Sequence, residues 1–382
     1  MEILSVFPSK FQDILSANDT PSSVAKRELA SLPIRNPVFV CVISYTATCE
    51  IPGITVAGVN LESLKYTSPA DAEFLHYGHC KCIDRVPVTP DGKPTPAIIT
   101  RAALRLSNIP FFVVDAGSKI KPSIPHISFD IPSGKNIQFG NALDIDKVKQ
   151  AFEYGIILGK QLGRTSSMVV IGESIPGGTT TALGVLTALG IDAKNKTSSS
   201  MPQNPHDLKN RTVSEGLKKA NISIGSLRND PLRAVSFLGD PMMPAVAGMV
   251  DGVLSSGSGD SHVMLAGGTQ MAAILAILKS LGRPLERISV GTTVYVAEDS
   301  SSNLTNLIKA ISSEIGIYKL DPQLALSSHR GLRAFARGFV KEGVGAGGLS
   351  IVAILKSNGQ IDGRSLLKAV EQEYDTIMNR IR

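Results

Sequence analysis

A glycine-rich stretch in the middle of the chain has the residue types of a phosphate-binding loop. Residues 171–181 read IGESIPGGTTT, in which Gly172, Gly177 and Thr179 follow the spacing of the P-loop pattern G-x-x-x-x-G-K-[ST]. Gly178 stands where that pattern requires lysine. A triphosphate needs a fixed cation and a metal ion, whereas backbone amides and hydroxyl groups at a helix N-terminus can hold one phosphate. The loop therefore indicates a monophosphate ligand.

Two further glycine-rich joints have the same character. They read LAGGTQMAA over residues 265–273 and KEGVGAGG over residues 341–348. In open α/β sheets, ligands bind at the carboxyl ends of the strands, which is where such joints lie. Any one of these joints also suits a tight turn or close helix packing. Three of them in one chain favour a ligand site.

Two of the joints carry a glutamate, Glu173 in IGES and Glu342 in VKEGVG. A carboxylate beside a phosphate cradle repels the ligand unless it has another task, such as accepting a proton. The structural alternative is that each carboxylate caps a helix or accepts hydrogen bonds from loop amides. From the residues alone the structural interpretation is favoured, because most carboxylates in proteins are not catalytic.

A third candidate is the cluster HYGHCKC, which places His76, His79, Cys80 and Cys82 within residues 76–82. All four are ligand types that zinc accepts. Structural zinc sites usually combine two separated ligand pairs, whereas here one residue separates the cysteines and no second pair follows. A loop with buried thiols is the favoured interpretation, and no metal is assigned.

The strands and helices that position these joints can be predicted from the spacing of apolar residues. Short runs rich in β-branched residues predict buried parallel strands over residues 37–44, 111–115, 167–172, 262–267 and 288–296. A period of three to four residues predicts helices over 146–162, 180–189, 241–254, 270–281, 304–315 and 363–382. The alternation predicts an α/β fold with a doubly wound, mostly parallel Rossmann-like sheet. The polar segment 192–207 is either a lid over the site or a disordered loop.

Composition narrows the class of protein. The 382 residues are 43% apolar and 19% charged, which predicts a globular protein with a sizeable core. The net charge of +6 comes without a basic run, so a small anionic substrate is favoured over nucleic acid. No apolar run approaches the length of a membrane span, and the N-terminus lacks a signal-peptide pattern. Four cysteines are too few for a disulfide framework, so a cytoplasmic protein is expected.

The order of four motifs resembles one enzyme family. IGESIPGGTTT, FLGDPMMPAVAGMVDGV, VMLAGGTQMAAILAI and SHRGLRAFARGFVKEGVGAGG occur in the order found in the nicotinate-nucleotide:dimethylbenzimidazole phosphoribosyltransferases of cobamide (vitamin B12) synthesis. The resemblance covers most of residues 75–355, and the first and last motifs are the most specific. It implies a large domain of residues 36–355, a smaller domain assembled from residues 1–35 and 356–382, and a homodimer.

The resemblance also implies a reaction. The family moves the phosphoribosyl group of nicotinate mononucleotide onto a nitrogen of an aromatic base, dimethylbenzimidazole or a related base, giving an α-ribotide and nicotinate. Nicotinate is attached as a cationic pyridinium and departs with loss of that ring charge, so neither a cofactor nor a metal is implied. The attacking base must lose a proton from its other ring nitrogen, and a positioned carboxylate can accept it.

Site residues are transferred by matching motifs. Glu342 occupies the place of the glutamate in the family's G-E-G-x-G-A motif and is the implied catalytic base, while Glu173 matches the glutamate of the GEMGIGNTT loop and would orient the ribose or the base. The implied substrate- and phosphate-binding residues are Gly177, Gly178, Thr179, Thr180, Lys209, Gly267, Gly268 and Gly343. The loop IPGG and the GDP sequence at residues 239–241 depart from the family pattern, which leaves the acceptor base open.

Two rival functions are less favoured. A nicotinamide-dependent oxidoreductase would need G-x-G-x-x-G after a strand and an acidic residue about twenty positions later, and the sequence has no such combination. The second rival is a non-catalytic protein of the same fold that binds a nucleotide or a cobamide precursor. The presence of both Glu173 and Glu342 argues against it, because a pure anion binder gains nothing from negative charge beside the phosphate.

Overall fold

The computed structural model describes residues 14–16, 31–58, 60–84, 86, 93–257, 259 and 261–381; the N-terminal residues on which the signal-peptide prediction depends lie outside this part. Within it, eight strands form one sheet in the order β1-β8-β7-β6-β5-β2-β3-β4. The strands are β1 (Ile14–Ser16), β2 (Val38–Ile43), β3 (Phe111–Asp115), β4 (Ile127–Ser128), β5 (Met168–Ser174), β6 (His262–Ala266), β7 (Ile288–Thr293) and β8 (Gly316–Leu320).

Helices connect the strands and cover the sheet. They are α1 (Leu64–Tyr77), α2 (Ala97–Ser107), α3 (Ile145–Thr165), α4 (Gly178–Ala188), α5 (His206–Ala220), α6 (Pro231–Leu238), α7 (Met242–Leu254), α8 (Thr269–Ser280), α9 (Val294–Ala297), α10 (Leu304–Ile311), α11 (Arg330–Arg333), α12 (Ala346–Lys356) and α13 (Gly363–Ile381). None of the helices in the described ranges combines the length and the apolar character that crossing a membrane requires.

The sheet is buried on both faces, as the continuous apolar runs predict. In β2 alternate side chains point to opposite cores: Val40 packs on the side of α3, α4, α7 and α8, and Cys41 on the side of α1, α2, α12 and α13. Each apolar side chain fully buried in this way contributes about 1.5–3 kcal/mol. Strands β2 to β8 pair in parallel, and only the edge strand β1 is antiparallel to its neighbour β8. The predicted doubly wound, mostly parallel sheet is therefore confirmed.

All five predicted strands are present, but the predicted range of one of them was too long. The run from residue 288 was expected to stay extended to 296, whereas β7 ends at Thr293 and the short helix α9 follows. The Thr293 amide donates to the Glu342 carboxylate at 2.7 Å, so it is occupied by a side chain at the point where the strand stops. The elements that were not predicted are strands β1, β4 and β8 and helices α1, α2, α5, α6, α9, α11 and α12.

The chain ends contribute at two places. Strand β1 extends the edge of the main sheet, and the other residues before Ser31 lie outside the described part. Helix α13 packs on the face of α2, where Arg101 of α2 donates to Glu373 of α13 at 2.9 Å. The division into a large domain of residues 36–355 and a small domain from the two ends remains a prediction.

Candidate active site

A cavity lies where the strand order reverses. From β2 the chain continues outward to β3 and β4, and from the neighbouring β5 it continues the other way to β6, β7 and β8. Loops at the carboxyl ends of strands on either side of such a switch point diverge and leave a crevice. Here the crevice is a cavity of about 140 Å³ lined by the loops that follow β5 and β6, the loop that precedes α12, and parts of α1 and of residues 93–96.

Two helix N-termini lie at this cavity. Helix α4 begins at Gly178 after Gly177, which has a φ of +79° and where an added Cβ would come within 3.0 Å of the Cys49 backbone. Glycine is required at that position by both the dihedral angle and the close approach. Helix α8 begins after Gly268, and its first residue Thr269 also lines the cavity. Unpaired amides and the partial positive charge of each helix end suit an anion such as a phosphate.

Glu342 faces the cavity from the loop before α12. Its carboxylate accepts hydrogen bonds from the backbone amides of Thr293 at 2.7 Å, Gly347 at 3.1 Å and Gly343 at 3.3 Å. The helix-capping interpretation is therefore met, since Gly347 lies in the first turn of α12. The side chain is nevertheless only partly buried and forms part of the cavity wall. Capping and a role toward a ligand are compatible, because a carboxylate offers about four lone-pair sites.

Glu173 lies at the end of β5 and lines the same cavity, with 5% of the residue exposed. Its backbone carbonyl accepts the Val344 amide at 2.8 Å, which ties the Glu173 loop to the Glu342 loop. Behind it lies Asp240, a buried carboxylate that accepts the Thr181 hydroxyl at 2.6 Å. The structure therefore brings the two predicted glutamates to one site.

Burial controls the protonation of this carboxyl group pair. Burial, with the charges of Asp240 and Glu342, raises the pKa of Glu173 to about 8. Burial also raises the pKa of Glu342 to about 7, although the amides that it accepts work in the opposite direction. Two interacting acids in a poorly solvated site resist carrying full charge together, so the pair can exchange a proton near neutral pH.

The loop that carries Glu342 has a strained backbone. Val340 has a φ of +45° and Val344 a φ of +56°, in the left-handed region that β-branched residues rarely adopt. Backbone hydrogen bonds hold both residues: the Val340 amide donates to the Ser200 carbonyl at 2.9 Å and the Val344 amide to the Glu173 carbonyl. Strain of this kind persists where surrounding structure fixes a functional geometry.

A cationic cluster forms another part of the wall. Lys341 is 2% exposed and its Nζ lies 2.5 Å from Asp299 Oδ2. Asp299 also accepts the Ser198 hydroxyl at 3.1 Å, and the Ser198 carbonyl accepts Lys209 Nζ at 2.6 Å. The Ser198 amide donates to Thr269 at 3.0 Å, which connects this cluster to the N-terminus of α8. Burial and the charge of Lys341 lower the pKa of Lys209 to about 7.

The structure separates the residues that the motifs placed at the site into two groups. Those in the cavity wall are Glu173, Glu342, Gly177, Gly178, Thr179, Gly268 and Gly343. Three others lie behind the wall. The Thr180 hydroxyl is buried without a hydrogen-bond partner in the described part of the chain, the Gly267 amide donates to the Gly291 carbonyl at 3.0 Å, and Lys209 is fully buried against Ser198.

Several wall residues were missed by sequence reasoning. Asp71 of α1 lines the cavity and accepts the Ser174 hydroxyl at 2.7 Å and the Thr95 hydroxyl at 2.8 Å. An aspartate in the largely apolar helix sequence SPADAEFL was the available signal. The polar segment that was predicted to be a lid or disordered supplies Ser198, Ser199 and Ser200 to the wall.

The histidine and cysteine cluster is dispersed. His79 Nδ1 lies 3.2 Å from the Tyr77 carbonyl, and the Cys80 thiol is directed to the Ala70 carbonyl at 3.4 Å. Among the described residues no three histidine, cysteine or acidic side chains come together in an arrangement that could hold a metal ion. All four cysteines of the chain are free thiols.

Comparison with known proteins identifies relatives of this chain. The sequence model of a family described as "Phosphoribosyltransferase" matches residues 98–283. A "UPF0284 protein" of Archaeoglobus fulgidus is 46% identical over 340 residues, covering 89% of this chain and 94% of the relative. A "UPF0284 protein" of Methanothermobacter thermautotrophicus is 43% identical over 349 residues, with 90% and 94% covered.

Two solved structures from Thermus thermophilus have the same fold. One, a nicotinate-nucleotide-dimethylbenzimidazole phosphoribosyltransferase, superposes with a TM-score of 0.56 at 14% identity and covers 89% of this chain and 83% of that one. The other, described as CobT, has a TM-score of 0.57 at 16% identity, with 92% and 89% covered. The chain therefore belongs to the UPF0284 protein family, and the resemblance to the phosphoribosyltransferases that its motifs indicated is confirmed as a divergent one.

Proposed function

We propose that this protein transfers the phosphoribosyl group of nicotinate mononucleotide to a ring nitrogen of an aromatic base, dimethylbenzimidazole or a related base, in cobamide synthesis. The observation that supports this most strongly is the meeting of unlike groups in one cavity. Two helix N-termini, suited to a phosphate, face the same space as two carboxyl groups, Glu173 and Glu342. A protein that only bound an anion would have no use for those acids.

The reaction balances without a metal. The bond between ribose C1′ and the nicotinate nitrogen breaks, and its electron pair returns to that nitrogen and neutralises the pyridinium ring. A lone pair on one ring nitrogen of the acceptor forms the new bond to C1′, and the proton on the other ring nitrogen passes to Glu342. A general base works best when its pKa is near the pH of the reaction, and the pKa of Glu342 is about 7.

Glu173 has the complementary task in this proposal. With its pKa at about 8, its carboxyl group is mostly protonated at neutral pH and can donate a hydrogen bond, so it would orient the ribose or the acceptor. The phosphate would lie against the amides after Gly177 and Gly268. The proposal includes the homodimer that the resemblance implies and a cytoplasmic location, which suits free thiols.

The test is to incubate the purified protein with nicotinate mononucleotide and, in separate reactions, dimethylbenzimidazole, adenine or a phenol. Nicotinate release and ribotide formation are followed by chromatography and mass spectrometry. Product with one acceptor is the expected result and identifies the base. Nucleotide binding by calorimetry without product from any acceptor would instead favour the non-catalytic binding protein.

A chelator tests whether the reaction needs a metal ion. Activity should be unchanged in its presence, and a requirement for added zinc would contradict the metal-free mechanism.

A further inference from the structure

Lys341 is a charged residue of the cavity wall whose chemistry the proposed function leaves unused. It stands directly before Glu342, at the first position of the motif that reads G-E-G-x-G-A in the enzymes this chain resembles and K-E-G-V-G-A here. A glycine there offers no charge, whereas Lys341 brings a buried ammonium group to the wall of the cavity. An ammonium group loses much of its hydration when buried and needs an anion nearby.

The buried cluster around Lys341 has more cations than anions. Lys341 and Lys209 are both buried, and in the described ranges Asp299 is the one carboxylate that pairs with Lys341, while Lys209 donates to a neutral carbonyl. Asp299 is shared further, since it accepts Ser198, Ser302 and Asn204 at 3.1, 2.9 and 3.0 Å. When both lysines are protonated, the cluster carries one surplus positive charge. Burial and, after it, the charge of Lys341 lower the pKa of Lys209.

The cluster is also joined to the anion-suited end of α8. Ser198 makes three contacts that link the parts: its amide donates to Thr269, its hydroxyl donates to Asp299, and its carbonyl accepts Lys209. Thr269 and Lys341 both line the cavity. A phosphate in the cavity could therefore contact both the N-terminus of α8 and the Lys341 ammonium group, and each of these stabilises an anion.

We propose that Lys341 is a binding residue for the phosphate monoester of the substrate, paired with Asp299 as the structure shows and shared with the phosphate when ligand is bound. The identity of the ester as nicotinate mononucleotide rests on the proposed function; the phosphate contact does not. The surplus positive charge of the Lys341–Lys209–Asp299 cluster is compensated by the ligand, so the site selects a phosphorylated sugar over the corresponding nucleoside.

The experiment measures binding, not turnover. Isothermal titration calorimetry with ribose 5-phosphate and with nicotinate riboside, which lacks the phosphate, is carried out on the wild-type chain and on Lys341→Met. The variant should bind ribose 5-phosphate about 10- to 100-fold more weakly, the range for a lost hydrogen bond between charged groups, and should bind the riboside as the wild type does. Lys319→Met, which removes the surface partner of Glu298, is the matched control and should bind both ligands normally.

Because a lone Asp299 carboxylate can destabilise the fold, a second variant keeps that pair neutral. Lys341→Gln combined with Asp299→Asn retains a hydrogen-bonding pair without charge; thermal unfolding verifies that it is folded, and it should lose the preference for ribose 5-phosphate as well. Unchanged ribose 5-phosphate binding in Lys341→Met would overturn the proposal. So would an equal loss for the phosphate-free riboside, which would give Lys341 a purely structural role. If the transferase assay fails while the phosphate preference depends on Lys341, the substrate assignment fails and the binding site stands.

Discussion

The two ends of the cavity wall differ in the sign of their charge and in how burial acts on it. At one end the acids Glu173 and Glu342 have pKa values raised to about 8 and about 7, so they hold protons that exposed carboxyl groups would release. At the other end Lys209 lies behind the wall, where burial and the charge of Lys341 lower its pKa to about 7. Desolvation drives both ends toward neutrality, and a ligand with an anionic group and an exchangeable proton satisfies both.

A single loop connects the two ends. Lys341 belongs to the cationic cluster and the next residue, Glu342, to the acidic pair, while Val340 and Val344 flank them with positive φ angles. Consecutive residues of this loop therefore contact opposite ends of the site. The acidic end and the cationic end of the site therefore depend on one short loop. Substitutions in the site should affect one end more than the other.

The largest effect is expected from Glu342→Gln. The substitution keeps the shape of the side chain but removes the proton acceptor, so transfer should fall by about 100- to 10,000-fold, the usual contribution of a general base. Nicotinate mononucleotide should bind within a few fold of the wild type, because the proposed phosphate contacts lie at the other end. Nicotinate release and calorimetric binding are measured side by side, with the exposed Glu314→Gln as control. Undiminished turnover would remove Glu342 from the mechanism.

The pH profile of kcat/KM tests the acidic end without mutation. The base must be deprotonated to act, and the pKa of Glu342 is about 7, so activity should be lost as pH falls through that value, by about tenfold per unit. Activity should also fall as pH rises above about 8, where Glu173 loses the proton with which it donates its hydrogen bond. Because Glu173 and Glu342 interact, the measured value belongs to the pair. Initial rates at low donor concentration are recorded from about pH 5.5 to 9. A profile without an acidic limb would exclude a base with this pKa.

A smaller effect, on stability, should follow from Glu173→Gln. The folded-state pKa of Glu173 lies above its ordinary value of 4.5, so the folded protein is at full stability below that value and loses stability as pH rises toward about 8. Glutamine cannot ionise, so the variant should have a higher Tm than the wild type at alkaline pH, by about a few degrees. The two Tm values should converge near pH 4.5.

Glu73→Gln provides the opposite case. Glu73 is a fully buried carboxylate that accepts the amides of Lys81, Cys82 and Ser123 at 2.5, 2.8 and 2.7 Å, and these hydrogen bonds hold its pKa below the ordinary value despite burial. Its replacement should lower the Tm at neutral pH. Differential scanning calorimetry across pH measures the Tm of both variants. A Glu73→Gln variant more stable than the wild type at neutral pH would contradict the lowered pKa of Glu73. A Glu173→Gln variant less stable than the wild type at every pH would contradict the raised pKa of Glu173.

The sequence predicted those parts of the fold in which local pattern and tertiary role agree. Residues 168–174 are apolar throughout most of their length because both faces of β5 are covered, and α4 starts where the glycines of the preceding loop end. By contrast, β8 was missed because GIYKL mixes a lysine and a glycine into an edge-proximal strand. Its strand conformation depends on pairing with β7, which a window of five residues does not encode.

In the site, too, the residues that could be predicted are those whose role is visible in the local sequence. The glycine joints and both glutamates were visible because their chemistry conflicts with simple packing, and the parallel sheet brings the joints to one edge. Asp71 and Lys341 look ordinary in sequence and acquire a role only through distant partners, Ser174 for Asp71 and Asp299 for Lys341. Lys209 was placed at the site but lies behind its wall, because the register of that helix was not determined by a motif.

The smallest expected effect concerns the loop that joins the two ends. Val344 is 2% exposed and has a φ of +56°, a conformation that costs a residue with a Cβ about 1–2 kcal/mol. Val344→Ala keeps the Cβ and the strain, whereas Val344→Gly removes both. The glycine variant should therefore be the more stable of the two by about 1 kcal/mol, the reverse of the usual order in regular structure. At Val352, a buried residue within α12, the same pair of substitutions should show the usual order, with alanine more stable. Urea unfolding measures all four variants. If alanine is more stable than glycine at Val344 too, the loop is not strained, and the fixed placement of Lys341 and Glu342 at opposite ends needs another cause.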